Sequence, residues 1–252
     1  MTTVVQQGAD AGRREAETEP GAEVRVWDWP TRLFHWLLVT CFLSAWVSFE
    51  YAAELGDPTL KWHRWNGYAI LVLLAFRLLW GFAGSSTARF GSLPLAPASA
   101  LRYLLATATG RQRPFLGHNP LGSWMVLALL LGLFVQACLG LFTLEHNEIT
   151  AGPLQRLISF ETTEVVSDWH RAGFNLLLAL VCVHVLANSL HQLVKRDPLV
   201  TAMLTGRKPA RDYADAPSAR VPARLALRAG LCLAAALLVV FGGITLAGGR
   251  LF

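Results

Sequence analysis

Five long apolar stretches dominate the sequence, and shorter charged segments separate them. Each approaches the roughly 20 residues that a membrane-spanning helix needs. Only 15% of the residues are charged, against roughly 25% in a soluble domain. Backbone groups in lipid must be satisfied within the segment, so we expect helices. The sequence therefore predicts an all-α membrane protein whose spans, numbered one to five, are Leu33–Tyr51, Gly67–Phe82, Leu121–Leu144, Trp169–Val194 and Leu225–Ala247.

The charged segments alternate in sign along the chain. Ser85–Pro120 carries four arginines and no acid, and the segment 195–220 carries six Lys and Arg residues. Glu145–Asp168 instead carries five acids against Arg156. Basic loops stay on the cytoplasmic side of a membrane, so we expect a cytoplasmic N-terminus and a periplasmic C-terminus. The net charge of +5 follows from this topology and gives no reason to expect a nucleic-acid partner.

The N-terminal residues and the four cysteines give two further expectations. Residues 1–23 are polar and lack a signal-peptide pattern, so we interpret them as a disordered cytoplasmic tail. The four cysteines lie in four different spans without a C-x-x-C or C-x-x-C-H pattern, which argues against covalent haem attachment and a disulfide framework. They are Cys41, Cys138, Cys182 and Cys232.

The histidines of the fourth span have a spacing that suggests two ligand sites. His170 and His184 are 14 residues apart, about 40° short of four full helical turns, so both rings face one side. Along the helix axis they are about 21 Å apart. One helix could thus supply a ligand near each face of the membrane.

Histidines on facing spans lie at matching levels. His63 begins the second span at the level of His170, and His35 begins the first span on the half of the membrane that holds His184. A polar ring inside a bilayer is costly, so each is a candidate functional group, although a hydrogen-bonded packing role is the alternative. His191, seven residues beyond His184 and about 20° off the same face, competes with it as the partner of His35.

Several motifs together resemble the bacterial cytochrome b-561 family, which includes the di-haem cytochrome b subunit of nickel–iron hydrogenases. The resemblance covers roughly residues 24–208. The matching stretches are Val26–Trp36, His63–Tyr68, Phe76–Gly84, Gly117–Gly122, His170 to His184 and Ala202–Lys208.

This resemblance implies a four-helix transmembrane haem-binding bundle in the bacterial inner membrane, with two non-covalent haem b groups. It implies His35, His63, His170 and His184 as the axial iron ligands, and so favours His184 over His191. It also implies electron exchange with membrane quinone near the inner haem and with a redox partner at the outer face. We therefore expect a di-haem domain over residues 24–208, followed by a linker and a fifth transmembrane helix over 209–252.

The fifth helix lies outside the four-helix pattern of the hydrogenase subunits. It fits family members whose partners are periplasmic c-type cytochromes or other redox proteins. The identity of the partner, the quinone and the direction of electron flow stay open at this point.

Three further residues are candidates for binding haem at the inner end. Arg77 and Arg32 could each pair with a haem propionate through the guanidinium donors, and snorkelling to the interface is the alternative. His118 could bind a propionate or relay a proton to quinone, and a turn role beside Asn119 and Pro120 is the alternative.

Three functions remain in competition. The favoured one is transmembrane electron transfer between a periplasmic redox partner and the quinone pool, either as an electron-transfer subunit or as a quinone-linked oxidoreductase. The second is a membrane anchor for a redox complex, in which haem is only structural. The third is a histidine-lined proton or metal transporter, which predicts broken helices and polar residues along a path.

Overall fold

Seven α-helices, two short 3-10 helices and one pair of short strands make up the computed structural model, which describes residues 21–144, 150–249 and 251. Most of the predicted tail, residues 1–20, lies outside the described residues. Five of the helices are long and apolar enough to cross a membrane, as the sequence predicts. The helices are α1 (Trp29–Glu50), α2 (Lys61–Ala83), α3 (Pro97–Ala108), α4 (Pro120–Gly140), α5 (Phe160–Leu193), α6 (Leu199–Thr205) and α7 (Leu225–Leu246).

Helix α2 lies at the centre of the molecule. It packs against α1, α4 and α7, while α5 packs mainly along α4. One apolar cluster joins α1, α2 and α7 through Phe34, Phe76 and Ala236. A second joins α2, α4 and α5 through Ile70 and Leu177, among others. The helices α1, α2, α4 and α5 therefore form the four-membered bundle, and α7 packs on its outside.

Helix α5 is longer than the predicted fourth span. It begins at Phe160, nine residues before the predicted Trp169, and runs for 34 residues. Its N-cap, Ser159, accepts a hydrogen bond from the Thr162 main-chain N–H at 3.2 Å, which satisfies one of the free donors of the first turn. His170 consequently lies well inside a regular helix.

A short two-stranded ribbon holds the segment before α1 against the segment after α6. Strand β1 (Glu23–Arg25) pairs antiparallel with β2 (Arg207–Pro209). The sequence patterns do not predict this ribbon, because three-residue strands carry too few residues to show an alternation. Beyond β2, Tyr213 packs with Val26 and Leu116, so the segment expected as a linker contacts the segments that lead into α1 and α4.

Candidate functional site

The four predicted ligands lie at two levels of the bundle. At one end, which we call the His63 end, α1 ends and α2 and α5 begin; His63 and His170 are here. At the opposite end, called the His35 end, α1 begins and α2 and α5 finish; His35 and His184 lie towards it. Each histidine side chain is half-buried. The structure thus brings the predicted residues together in the predicted pairs of levels.

The rings of His63 and His170 face each other across the bundle. Their centroids are 6.2 Å apart and their planes are nearly perpendicular, at 85°. Two imidazoles that ligate one metal ion from opposite sides, through bonds of about 2 Å each, have centroids roughly 6 Å apart. The spacing therefore suits a metal held between the rings.

Main-chain carbonyls orient both of these rings. Nδ1 of His63 donates to the Ala45 carbonyl at 2.8 Å, and Nδ1 of His170 donates to the Gln136 carbonyl at 3.0 Å. A carbonyl only accepts hydrogen bonds, so Nδ1 carries the proton in each ring and the lone pair of Nε2 is available to a metal ion. Metal-binding histidines typically show this arrangement.

Glycines leave room beside this pair. A Cβ atom on Gly140 would stand 3.0 Å from Cε1 of His170, so any larger residue would crowd that ring unless the ring moved. A Cβ on Gly67, one turn after His63, would meet no atom within 4 Å. The side chain of Gln136 also joins α4 to α5, because its amide donates to the His170 main-chain carbonyl at 2.8 Å.

At the other level, the structure places His184 near His35. These two side chains are within range of electrostatic interaction, whereas the charged groups near His191 are Lys195, Asp197 and Lys208. Nδ1 of His35 is buried without a hydrogen-bond partner among the described residues. The arrangement favours His184 over His191 as the partner of His35.

Three more buried nitrogens without partners gather at the His35 end. They are Nε of Arg32, Nη1 of Arg77 and Nδ1 of His118, each without a hydrogen-bond partner in the described part of the chain. Arg77 is only 5% exposed. Buried polar groups are normally hydrogen-bonded, and unpaired donors of this kind fit an anionic group such as a haem propionate.

His118 lies outside the membrane-spanning helices, immediately before α4. Its ring is 4.8 Å from that of Trp27, centroid to centroid. Burial, together with the positive charges of Arg77 and Lys208, lowers the pKa of His118 to about 3. His118 is therefore neutral at pH 7, and its buried Nδ1 has no hydrogen-bond partner among the described residues.

The segment after α6 fixes the main chain that leads to His118. Lys208 is 1% exposed; its ammonium pairs with Asp197 at 3.1 Å and donates to the Phe115 carbonyl at 3.0 Å. The Asp215 carboxylate accepts from the main-chain N–H groups of Leu116 and Gly117, at 2.6 and 2.9 Å. These contacts hold in place the loop that leads to His118.

An aromatic and aliphatic layer separates the two histidine levels. Phe42 of α1 stacks on Phe174 of α5 with centroids 6.0 Å apart. Leu177 fills the same layer against Ile70 and Leu74. Because this layer joins α1 and α2 to α5, it keeps the two histidine pairs as separate sites.

The histidine pairs suit a haem better than a metal held by protein ligands alone. Within residues 21–144 and 150–249, no three His, Cys, Asp or Glu side chains converge on one point. Each site therefore offers two nitrogen ligands, which are what a six-coordinate haem iron takes from a protein. The glycines, the carbonyl-oriented rings and the unpaired donors all fit such a group.

Sequence reasoning missed the groups that support these side chains. The carboxylate of Asp28 accepts hydrogen bonds from Thr31, Trp80 and Ser85, and ties the start of α1 to the end of α2. An Asp immediately before Trp29-Pro30 is an N-cap signal that could have found part of this role. The carbonyls of Ala45 and Gln136 give no sequence signal.

Comparison with known proteins identifies one matching family and several similar proteins. The sequence profile of the prokaryotic cytochrome b561 family matches residues 26–206. Proteins similar to the chain include the probable Ni/Fe-hydrogenase 1 B-type cytochrome subunit of Escherichia coli (23% identical, covering 72% of this chain and 88% of that protein). The probable Ni/Fe-hydrogenase B-type cytochrome subunit of Bradyrhizobium diazoefficiens is also 23% identical and covers 81% and 92% of the two chains. The corresponding subunit of Azotobacter vinelandii is 23% identical over 82% and 98%.

The family match covers most of the bundle and all four histidines of the two levels. Together with the five apolar helices, it accounts for a multi-pass bacterial membrane protein that carries haem b and transfers electrons. The chain therefore belongs to the prokaryotic cytochrome b561 family.

Proposed function

We propose that the protein binds two haem b groups and conducts electrons across the membrane between a redox partner at the His63 end and a quinone at the His35 end. His63 and His170 would hold one haem, and His35 and His184 the other. Bound haem supplies one-electron redox chemistry. Two histidine ligands per haem would leave the iron no open position, which would suit electron transfer rather than oxygen chemistry.

The observation that carries this proposal is the geometry of His63 and His170. Their facing rings stand 6.2 Å apart, and a main-chain carbonyl holds each Nδ1. A pair of packing histidines would also use hydrogen-bond acceptors, but it would not need two rings that face each other at this spacing. The 14-residue separation of His170 and His184 on one helix supports a second site about 21 Å away along the axis.

At the His35 end, the unpaired donors support a haem whose propionates point towards the basic loops. Arg77 and Arg32 would bind these carboxylates through charge-assisted hydrogen bonds. His118, neutral before binding, would donate from Nδ1 or take part in proton transfer to a quinone. The buried position of Arg77 favours the propionate role over snorkelling, which places the charge in water.

Loop charges support the orientation. The loops of the His35 end contain the arginines of Ser85–Pro120 and the basic residues of 195–220, so this end would be cytoplasmic. The His63 end would then face the periplasm, where a c-type cytochrome or another redox protein would exchange electrons with the nearer haem. The relatives are named as hydrogenase subunits, which supports a partner protein in general.

The two competing functions make different predictions. A transporter would need broken helices around a midplane site, whereas each of the five described spans is one continuous helix. A structural anchor would bind haem but would not conduct electrons. Only a measurement of transmembrane electron flow separates an anchor from a conductor.

That measurement uses liposomes that contain the purified protein and trapped ferricyanide, with a membrane-impermeant reductant outside. We expect the trapped oxidant to be reduced at a rate far above that of empty liposomes. His63→Ala and His184→Ala should each abolish the excess rate, while His191→Ala, on the same helix as His184, should retain it. Full haem content without any excess rate would instead support the anchor.

A further inference from the structure

Helix α3 turns its apolar face away from the rest of the protein. The half-buried residues of α3 all lie on one side of the helix; they are Ser99, Ala100, Tyr103, Ala106 and Thr107. The opposite side carries Leu101, Leu104 and Leu105, which are 58%, 50% and 60% exposed. Their spacing is that of one helical face, which in a water-soluble protein is turned towards the core. The leucine face of α3 therefore needs an apolar partner outside the chain.

The inner side of α3 rests on the loop that leads to α4. The Tyr103 ring lies 5.8 Å from the Phe115 ring, centroid to centroid, and the two planes are nearly perpendicular. The Phe115 carbonyl in turn accepts a hydrogen bond from the buried ammonium of Lys208. Helix α3 also contacts α4 itself. Its leucine face is thus held in one orientation beside a membrane-spanning helix.

The position of α3 in the chain puts it near the membrane surface. It lies in the connection between Ala83, where α2 ends, and Pro120, where α4 begins. Trp29 and Trp124, near the starts of α1 and α4, are both exposed, and exposed tryptophans concentrate at the interfaces of a bilayer. With 12 residues, α3 is about 18 Å long, too short to cross roughly 30 Å of hydrocarbon. A position in the plane of the interface fits this length.

The charges around α3 indicate which partner fits the leucine face. The segment Ser85–Pro120 carries four arginines and no acid. Two of them, Arg102 within α3 and Arg111 just after it, are exposed and form no ion pair among the described residues. A second copy of α3 would bring arginines against arginines, whereas anionic lipid attracts basic residues at the membrane surface. Charge therefore favours a lipid surface over another copy of the chain.

We propose that α3 lies in the plane of the membrane interface and binds anionic phospholipid. Its leucine face would enter the outer part of the acyl region, and Arg102 and Arg111 would contact lipid phosphates. Helices that combine an apolar face with basic residues bind membranes in this way. This lipid contact is independent of the haem sites, because α3 carries none of the candidate ligands.

Nitroxide labels test where the leucine face lies. In a chain whose four native cysteines are replaced by alanine, a label on Leu104→Cys is examined in vesicles of phosphatidylcholine and phosphatidylglycerol. Ala214→Cys, an exposed position in the charged segment after β2, is the matched control. We expect the label on Leu104→Cys to collide about twofold more often with oxygen, which concentrates in lipid, and about twofold less often with a water-soluble nickel chelate.

Two results of this measurement would overturn the proposal. If the chelate reached both labels equally, α3 would lie in water. If the label on Leu104→Cys were protected from oxygen as well as from the chelate, another protein surface would cover the leucine face.

A lipid titration tests the same contact with the native cysteines in place. Phosphatidylglycerol added to the full chain in a neutral detergent should raise the thermal midpoint more than phosphatidylcholine or inorganic phosphate at the same concentration. Changing both Arg102→Gln and Arg111→Gln should remove about half or more of this extra rise. Arg156→Gln, an exposed arginine at the other end of the bundle, should keep it.

The outcomes of the titration are distinct. An equal rise with the two lipids would show that lipid charge has no part in the contact. An equal rise with inorganic phosphate would show a site for free phosphate instead of a lipid contact. An unchanged rise in the double variant would place the lipid elsewhere on the protein. Each of these results would overturn the proposal.

Discussion

At the scale of single residues, the histidines depend on neighbours that are not ligands. The carbonyls of Ala45 and Gln136 fix the rings of His63 and His170. Gly140 determines how closely α4 can approach the second of these rings. A change in such a supporting group weakens a metal site even when the ligands themselves are unchanged.

The first prediction concerns Gly140. In Gly140→Val, the added atoms would stand within about 3 Å of the His170 ring, which is closer than carbon atoms at optimal contact, about 3.5 Å apart. We expect the ring to be displaced and one haem of two to be lost or altered in its absorbance spectrum. Haem content per chain and the reduced spectrum measure this effect.

A matched control comes from α7. A Cβ on Gly242 would meet no atom within 4 Å, so Gly242→Val should keep both haems. If Gly140→Val also kept both haems with an unchanged spectrum, the proposed ligand role of His170 would be wrong.

The second prediction concerns Asp57, which holds the first turn of the helix that carries His63. Burial would raise the pKa of Asp57, but hydrogen bonds from the Trp62 and Lys61 main chain and from Thr59, with the charge of Arg64, lower it overall. The carboxylate therefore stabilises the fold above its unfolded pKa of about 3.9, and this contribution is lost as pH falls through the lowered pKa.

Thermal unfolding in detergent between pH 6 and pH 3 measures this contribution. Asp57→Asn should be less stable at pH 6 and should lose less stability than the unmodified protein as the pH falls. Glu54→Gln, an exposed neighbour, should follow the unmodified profile. Parallel profiles for Asp57→Asn and the unmodified protein would contradict the role of the carboxylate.

At the scale of elements, α1 and α2 are joined by a buried polar contact as well as by apolar packing. The Asp28 carboxylate accepts from the Thr31 N–H at 2.8 Å, the Ser85 N–H at 3.0 Å and the Trp80 indole N–H at 3.2 Å. The same carboxylate caps α1. The Asp28 side chain therefore helps, together with the apolar packing, to fix the relative position of the helices that carry His35 and Arg77.

The third prediction follows from this contact. Asp28→Ala leaves the main-chain N–H groups of Thr31 and Ser85 without their acceptor, whereas the Trp80 indole keeps the Thr31 hydroxyl at 3.2 Å. The change should destabilise the protein by about 3 kcal/mol, since each unsatisfied buried group costs about 1–3 kcal/mol. Asp212→Ala removes an exposed ion pair with Arg113 and should cost at most about 1 kcal/mol. Equal effects of the two changes on the unfolding midpoint would contradict the account.

The elements also show how far the sequence alone can predict this fold. Long apolar runs predict all five spans, because lipid imposes one length and one secondary structure on them. The start of α5 at Phe160 escapes that reasoning, because its first turns carry Glu161 and Glu164 and lie outside the apolar window. The β1–β2 ribbon and the contacts of Lys208 and Asp215 escape it too, since they join residues about 90 or more positions apart.

The residues of the candidate site are likewise only partly predictable from the sequence. Helical periodicity alone aligns His170 with His184, and the depth of each span matches them to His63 and His35. Periodicity leaves His191 as an alternative to His184, because these residues are about two helical turns apart on the same face. The periodicity does not show which of the two lies opposite His35. The structure favours His184 by placing it near His35, and the supporting carbonyls become visible only once the helices are packed.

At the scale of the whole molecule, the four-helix bundle and the fifth helix have separate roles. The candidate ligands lie on α1, α2 and α5. Helix α7 contacts α2 through Ala229 and Ala236, on the side of the apolar cluster with Phe76. It therefore supports α2 without contributing a candidate ligand.

The fourth prediction is that a chain ending at Arg220 binds as much haem as the full chain. Its reduced spectrum should be unchanged, because the two histidine pairs remain. Its thermal midpoint should fall, because α2 loses the packing of α7 in an environment where van der Waals contact drives helix association. Loss of either haem from the shortened chain would show that α7 belongs to the site.

The most direct test of the account counts haem in the unmodified protein and in two single-ligand variants. The purified chain is expected to give a dithionite-reduced minus air-oxidised spectrum of b type with two haems per chain. His63→Ala and His184→Ala should each reduce this to one. A folded protein, produced with haem available, that holds one haem or none would contradict the central claim that two pairs of histidines form two haem sites.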